Sequence, residues 1–200
     1  MRWFTSDLHF WHTNILKFSS IRHKWKSEEE MNEELVLMWN SSVSPNDIVY
    51  NLGDLAFKVG SKMDNINSLT ARLNGKHIMI KGNHDPSKKI PLFQNIAEWH
   101  KEMFLNIQGV DFLLTHFPYK DAMRDDDLIE RPDCFTPDKW ANGKIIPLIH
   151  GHVHDCFILR KNCLNVGYDA WGKMVSEDEI IKIYNETKGF QNIKINSVDT

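Results

Sequence analysis

Cysteine is scarce in this chain: three in 200 residues, Cys134, Cys156 and Cys163. Their spacing matches no CxxC zinc pattern, and an odd number leaves no complete disulfide framework, so neither a stapled scaffold nor a thiolate metal site is expected. Long apolar runs are missing too. Nothing approaches the roughly 18 residues of a membrane-spanning helix, and Met1-Arg2-Trp3-Phe4-Thr5 reaches Ser6 and Asp7 without the apolar core of a signal peptide. A cytoplasmic protein with no membrane partner is expected. Basic charge is not in excess, with 24 Lys and Arg against 27 Asp and Glu and a formal net charge of −3. That excludes a global basic field for nucleic acid and leaves only local patches. There is no internal repeat and no low-complexity segment to suggest an array or a disordered tail.

What is present is an ordinary globular composition, 42% hydrophobic and 26% charged, together with ten histidines. The length suits one domain over 1–200. Its first half alternates strand and helix patterns. Strands are expected at 2–6, 47–52 and 76–81, and helices at about 27–42, capped by Ser27 with Glu30, and at about 61–73. This order suggests βαβ units and a mostly parallel sheet. The second half reads as hairpins, with strand-like runs at 99–107 and 110–115 around Gln108-Gly109 and a second pair at 157–160 and 163–167. A last helix begins at Ser176 with Glu179 three residues on. Between the two hairpins, residues 119–144 form a long polar stretch with the length of a functional loop, and a lid is expected there.

The histidines gather where strands should end. Ile149-His150-Gly151-His152-Val153-His154 follows an apolar run, and residues two apart on an extended chain face one side, so His152 and His154 should point together. Asp7 and His9 repeat that spacing. Gly53-Asp54, Gly82-Asn83-His84-Asp85 and Thr115-His116 stand at three further strand ends. Sites in open α/β sheets gather at the carboxyl ends of strands. The pooled set, Asp7, His9, Asp54, Asn83, His116, His152 and His154, mixes hard oxygen with imidazole. Such donors suit manganese, iron, zinc, nickel or cobalt better than calcium or magnesium. Seven ligands exceed one tetrahedral ion and fit two divalent ions sharing a carboxylate, an arrangement that clamps a phosphoryl group.

Asp7-Leu8-His9, Gly53-Asp54, Gly82-Asn83-His84-Asp85, His116 and Gly151-His152-Val153-His154 resemble, in order, the five blocks of the calcineurin-like metallophosphoesterases. Asp7-Leu8-His9-Phe10-Trp11-His12-Thr13-Asn14-Ile15 and Asn165-Val166-Gly167-Tyr168-Asp169-Ala170-Trp171 are similar to the small, single-domain microbial and phage branch. The resemblance implies a four-layer αββα sandwich of two mixed sheets flanked by helices. It implies that Asp7, His9 and His154 hold one ion, that Asn83, His116 and His152 hold another, and that Asp54 bridges them, with manganese favoured. His84 would stay off the ions and assist the leaving oxygen. The implied activity is hydrolysis of a phosphate monoester or diester by in-line attack of metal-bound water, with a small nucleotide-like substrate favoured. A nuclease and a catalytically silent binding scaffold are the alternatives. His12, Asp85, His150, Arg22 and Tyr119 are the further residues expected to support the ligands or touch substrate. Asp85 is expected to orient a histidine, His150 to sit in the core or behind a ligand, and Arg22, with Lys24, Lys120 and Arg124, to contact phosphate. Phe10, Tyr119 and Trp171 are weighed as stacking surfaces. Oligomeric state is not readable from the chain.

Overall fold

The structure is a computed structural model that describes residues 1–57, 63–85, 96–123, 140–141 and 144–190. In chain order its strands are β1 (Arg2–Thr5), β2 (Ile48–Asn51), β3 (Lys76–Ile80), β4 (Ile96–His100), β5 (Glu102–Ile107), β6 (Val110–Thr115), β7 (Trp140–Ala141), β8 (Lys144–Ile145), β9 (Leu148–His150), β10 (Leu159–Arg160), β11 (Cys163–Asn165) and β12 (Val175–Ser176). The helices are α1 (Glu28–Ser42), α2 (Met63–Thr70), α3 (Tyr168–Trp171) and α4 (Glu177–Glu186).

Two mixed five-stranded sheets carry the fold. The first has the order β12-β1-β2-β3-β4, parallel from β1 to β4 with β12 antiparallel at its edge. The second has the order β10-β11-β9-β6-β5, with β11, β9 and β6 parallel and antiparallel strands at both edges. Side chains alternate across each sheet as strand geometry requires. In the first, Phe4, Tyr50, Ile78 and Ile80 face the other sheet, while Val49 and Met79 face α1 and α2. In the second, Phe112, Leu114, Ile149 and Leu164 face inward, while Leu113, Leu148 and Cys163 meet an outer layer of Tyr119, Ala122, Val153 and Phe157. The result is the expected αββα sandwich, with Ile180 of α4 entering the edge of the middle core.

Local chemistry explains the element ends. Ser27 accepts from the Glu30 amide, and the Glu30 carboxylate accepts from the Lys26 amide, which starts α1. Ser176 and Glu179 form a complete capping box that starts α4. Gln108-Gly109 and Lys161-Asn162 both adopt positive φ, the two-residue turn that suits hairpins. The sequence run 99–107 differs from expectation. It divides at Lys101: β4 pairs with β3 in the first sheet and β5 pairs with β6 in the second. Local patterning does not mark the break, because both pieces are strand-like and only the pairing partner changes. Most of the expected lid at 119–144 lies outside the described residues; within them, Lys120–Ala122 forms one 3-10 turn. No helix among the described residues is long and apolar enough to cross a membrane.

Phe112 is fully buried between the sheets, with ring centroids 5.4 Å from Tyr184 and 5.8 Å from Phe190. Phe112→Ala is expected to lower unfolding free energy by about 3–5 kcal/mol, read from urea titration at constant slope.

Candidate metal centre

The carboxyl ends of five strands meet at one place. Asp7 and His9 follow β1, Asp54 follows β2, Asn83 and His84 follow β3, His116 follows β6, and His152 and His154 follow β9. Backbone bonds tie neighbouring ends: the Asp7 amide donates to Gly53 O and the His9 amide to Asp54 O, both at 3.0 Å, and the Gly151 amide donates to His116 O at 3.1 Å. The sheets join through a Ser6–Gly167 bridge and through the His152 amide, which donates to Asp7 Oδ2 at 2.9 Å.

The expected strand parity is not what aims these side chains. β1 stops at Thr5 and β9 at His150, and the residues beyond are not extended. Asp7, His9, Asp54, His152 and His154 have φ of 56°, 52°, 54°, 71° and 50°. These are left-handed conformations that cost a non-glycine residue on the order of 1–3 kcal/mol each, and such strain collects at functional sites. The two-apart spacing therefore works through tight turns, with the side chains of Asp7 and His9, and of His152 and His154, thrown inward by backbone reversal.

Asp54 lies at the centre. Its Oδ1 accepts from the His84 amide at 2.8 Å, and its Oδ2 lies 3.5 Å from His116 Nε2, 3.7 Å from His9 Nε2 and 3.9 Å from His84 Nε2. Burial would raise its carboxyl, but His116, His9 and His84 together hold it well below the usual range. On one side, Asp7, His9 and His154 bring donor atoms within 4.8 Å of one another, as do Asp7, Asp54 and His116. On the other, Asn83 Oδ1 lies 3.0 Å from His116 Nε2 and 3.1 Å from His152 Nδ1.

These residues fit a metal. Asp7 Oδ1 and both ring nitrogens of His9 are buried with no hydrogen-bond partner among the described residues, an arrangement that is costly unless a cation completes it. Burial raises the Asp7 carboxyl despite the pull of His154 and His116, as for a carboxylate that lacks its counterion. Burial also holds His9 well below its ordinary value, in the neutral form that ligates. His116 Nδ1 lies 2.7 Å from Leu52 O and His154 Nδ1 2.6 Å from Asp169 Oδ2. Those contacts leave each Nε2 facing the centre.

The remaining predicted residues fall into place or out of it. His12 stacks on Phe57 at 3.9 Å beside His9, and burial lowers it to about 4. Asp85 orients no histidine. Its carboxylate accepts the amides of Gly82, Asp54 and Leu55 at 2.8, 2.8 and 3.2 Å, so it holds the Asp54 turn itself. Burial beside Asp54 raises it to about 6. His150 is fully buried against Phe157 with Nδ1 2.6 Å from Gly151 O, and burial lowers it to about 3; it is a neutral core histidine. Arg22 cannot meet a phosphate, nor Tyr119 stack on a substrate, because both are buried. Arg22 binds Asp169 and two carbonyls, and the Tyr119 hydroxyl donates to Ile146 O. Lys24 lies over Trp25, and Arg124 is outside the described residues. Phe10 is core, and Trp171 donates to Asn165 O. Sequence reasoning missed Asp169, and with it Asn165, whose buried amide donates to His154 O and Phe157 O while its oxygen accepts from the Gly167 amide. Both stand in the Asn165–Trp171 motif, where polar residues in an otherwise buried run were the available signal.

No family model matches the chain. The Gene 66 protein of Mycobacterium phage L5 is 32% identical over 208 residues, covering 92% of this chain and 93% of the relative. The chain belongs to the Gene 66 protein family. The uncharacterized protein MJ1445 of Methanocaldococcus jannaschii is 29% identical over 94% of this chain and 93% of its own. Among solved structures, the protein of unknown function AQ665 from Aquifex aeolicus shares the fold, with a TM-score of 0.66, 24% identity and coverage of 92% of this chain and 98% of that one. An archaeal phosphodiesterase and the Pseudomonas putida nuclease MPE overlap more loosely, at TM-scores of 0.43 and 0.46 and identities of 14% and 19%. They cover 83% and 80% of this chain and 81% and 64% of theirs.

His116 supplies a test of this Gene 66 family member. Burial would lower it, but Asp54 raises it to about 9, so without metal it is protonated at neutral pH. A cation must displace that proton, so affinity should rise with pH up to about 9 and fall about tenfold per unit below it. Mn²⁺ calorimetry at pH 7.5 in buffers of different ionisation enthalpy should register about one proton released per ion bound at this position.

Proposed function

We propose that the protein is a metal-dependent phosphoric ester hydrolase of the calcineurin-like type. The observation that carries this reading is the placement of Asp54 Oδ2 within 3.5 to 3.9 Å of imidazole nitrogens from three different strand-end turns. A carboxylate so placed suits a bridge. Asp7, His9 and His154 would hold one divalent ion and Asn83, His116 and His152 the other, with manganese the preferred metal for this mixed donor set. When bound, such ions supply Lewis acidity toward phosphoryl oxygen and toward water.

The chain's own residues do the rest. Asp7, Asp54 and His116 are buried and bonded to backbone, and His154 is held by Asp169, so little reorganisation is needed when charge develops on phosphorus. The His84 side chain is about a third exposed (31%), as that of His154 is (33%), and its amide is fixed on Asp54 Oδ1 at 2.8 Å. It stands at the mouth of the centre, where an imidazole can donate a proton to a departing alkoxide. Phe57, against His12 and His84, and Phe117, against His116 and His152, flank the centre on two sides. They favour a small nucleotide-like ester over a polynucleotide, in keeping with a net charge of −3.

The test is a panel of aryl mono- and diesters, nucleotides and single-stranded oligonucleotides assayed with Mn²⁺. Turnover of the small esters is expected. Asp54→Ala should lose both bound metal and turnover, and undiminished activity in that variant would sink the mechanism. His84→Ala should keep its metal while kcat falls about 10²–10⁴-fold.

A further inference from the structure

Arg22 is fully buried, and a guanidinium is costly to bury. It ends a 3-10 turn, Ser20–Arg22, and lies behind the metal centre. Its Nε donates to Asp169 Oδ1 at 2.5 Å, its Nη2 to Asp7 O at 2.6 Å and its Nη1 to Leu8 O at 3.1 Å, while its face covers the Tyr168 ring at 5.2 Å. The other oxygen of Asp169 lies 2.6 Å from His154 Nδ1. One side chain thus reaches the backbone turn that carries Asp7 and His9 and, through Asp169, the ring of His154. Those three residues form one of the two Asp/His groups able to hold an ion. No hydrogen bond or ion pair among the described residues links Arg22 or Asp169 to Asn83, His116 or His152.

An apolar side chain would serve packing as well as a buried ion pair does, and often better. It could not hold two carbonyls and a carboxylate in one fixed fork. The Asp7–His9 turn needs such a hold, because Asp7 and His9 are both left-handed. His154 needs one as well: it is partly exposed, and a carboxylate on Nδ1 fixes its tautomer with Nε2 free to ligate.

We propose that Arg22 and Asp169 are positioning residues for one of the two metal positions, holding Asp7, His9 and His154 as a set; they reach the position of Asn83, His116 and His152 only through Asp7, whose Oδ2 accepts the His152 amide at 2.9 Å. This rests on the metal-dependent reading above.

The experiment measures Mn²⁺ stoichiometry and affinity by equilibrium dialysis, with electron paramagnetic resonance to separate coupled from isolated ions, in the full-length wild type, Arg22→Lys and Asp169→Asn. Lysine keeps the charge but loses the fork; asparagine keeps the shape but loses the charge. Wild type should bind two ions in a coupled pair. Each variant should bind one ion as the wild type does and the other 10–100-fold more weakly, with an isolated-ion spectrum. Imidazole ¹⁵N resonances of the metal-free protein at alkaline pH, where the ring is neutral, give a second measurement that needs no metal: the His154 proton should sit on Nδ1 in wild type, facing Asp169 Oδ2, and should lose that preference in Asp169→Asn. If Arg22→Lys does not fold, Asp169→Asn decides. Wild-type affinity for both ions in the variants, or parallel loss of both ions with loss of thermal stability, overturns the proposal while leaving the metal-dependent reading intact. A wild type that binds no ion overturns both.

Discussion

Where the strand ends converge there is room for hydrogen and nothing larger. A Cβ on Gly151 would lie 1.9 Å from Ser6 Oγ and 2.5 Å from Asp7 Oδ2, and one on Gly82 would lie 2.2 Å from Asp54 Oδ1. These approaches join turns from different strands closely enough for amides to reach carboxylates. The consequence is a division of labour within each carboxylate. Asp7 gives Oδ2 to the His152 amide and keeps Oδ1 without a partner, and Asp54 gives Oδ1 to the His84 amide and keeps Oδ2 among imidazoles. One oxygen of each serves the fold and the other is free for chemistry.

The turns are held in left-handed conformations from behind. Asp85 takes three amides around Asp54 and Gly82, Asn165 bonds to His154 O and Phe157 O, and Arg22 holds the carbonyls of Asp7 and Leu8. Each of the three is a buried polar side chain whose bonds run mostly to backbone. Such groups are costly when unsatisfied, so together they define one arrangement of the turns. The ligands present donors without reaching for them.

The apolar runs of the inner strands made them legible, because a strand covered on both faces is apolar along its length. The helix starts at Ser27 and Ser176 were legible because capping is a local contest for a few amides. The division at Lys101 was not, since both pieces are strand-like and the change of sheet lies in the pairing alone. At the site, the residue types and spacings pointed to the right place, but strand parity was the wrong reason. Left-handed φ at Asp7, His9, His152 and His154 is imposed by contacts with other turns, which no local pattern records. Arg22 misled for a related reason. A lone arginine in a polar stretch looks solvent-facing, and its partner Asp169 is 147 residues away.

That separation has a consequence in time. β1 is flanked in its sheet by β2 and by β12, at residues 48–51 and 175–176, and Asp7 receives the His152 amide across 145 residues. Contacts so far apart bear the greatest loop-closure entropy, and chains dominated by them fold slowly. A ribosome that has delivered β1, β2 and β3 has delivered Asp7, His9, Asp54 and Asn83 but neither His152 nor His154. The nascent chain therefore carries only part of the candidate ligand set until His116, His152 and His154 emerge, and the set is complete only when the segment after β9 docks against β1.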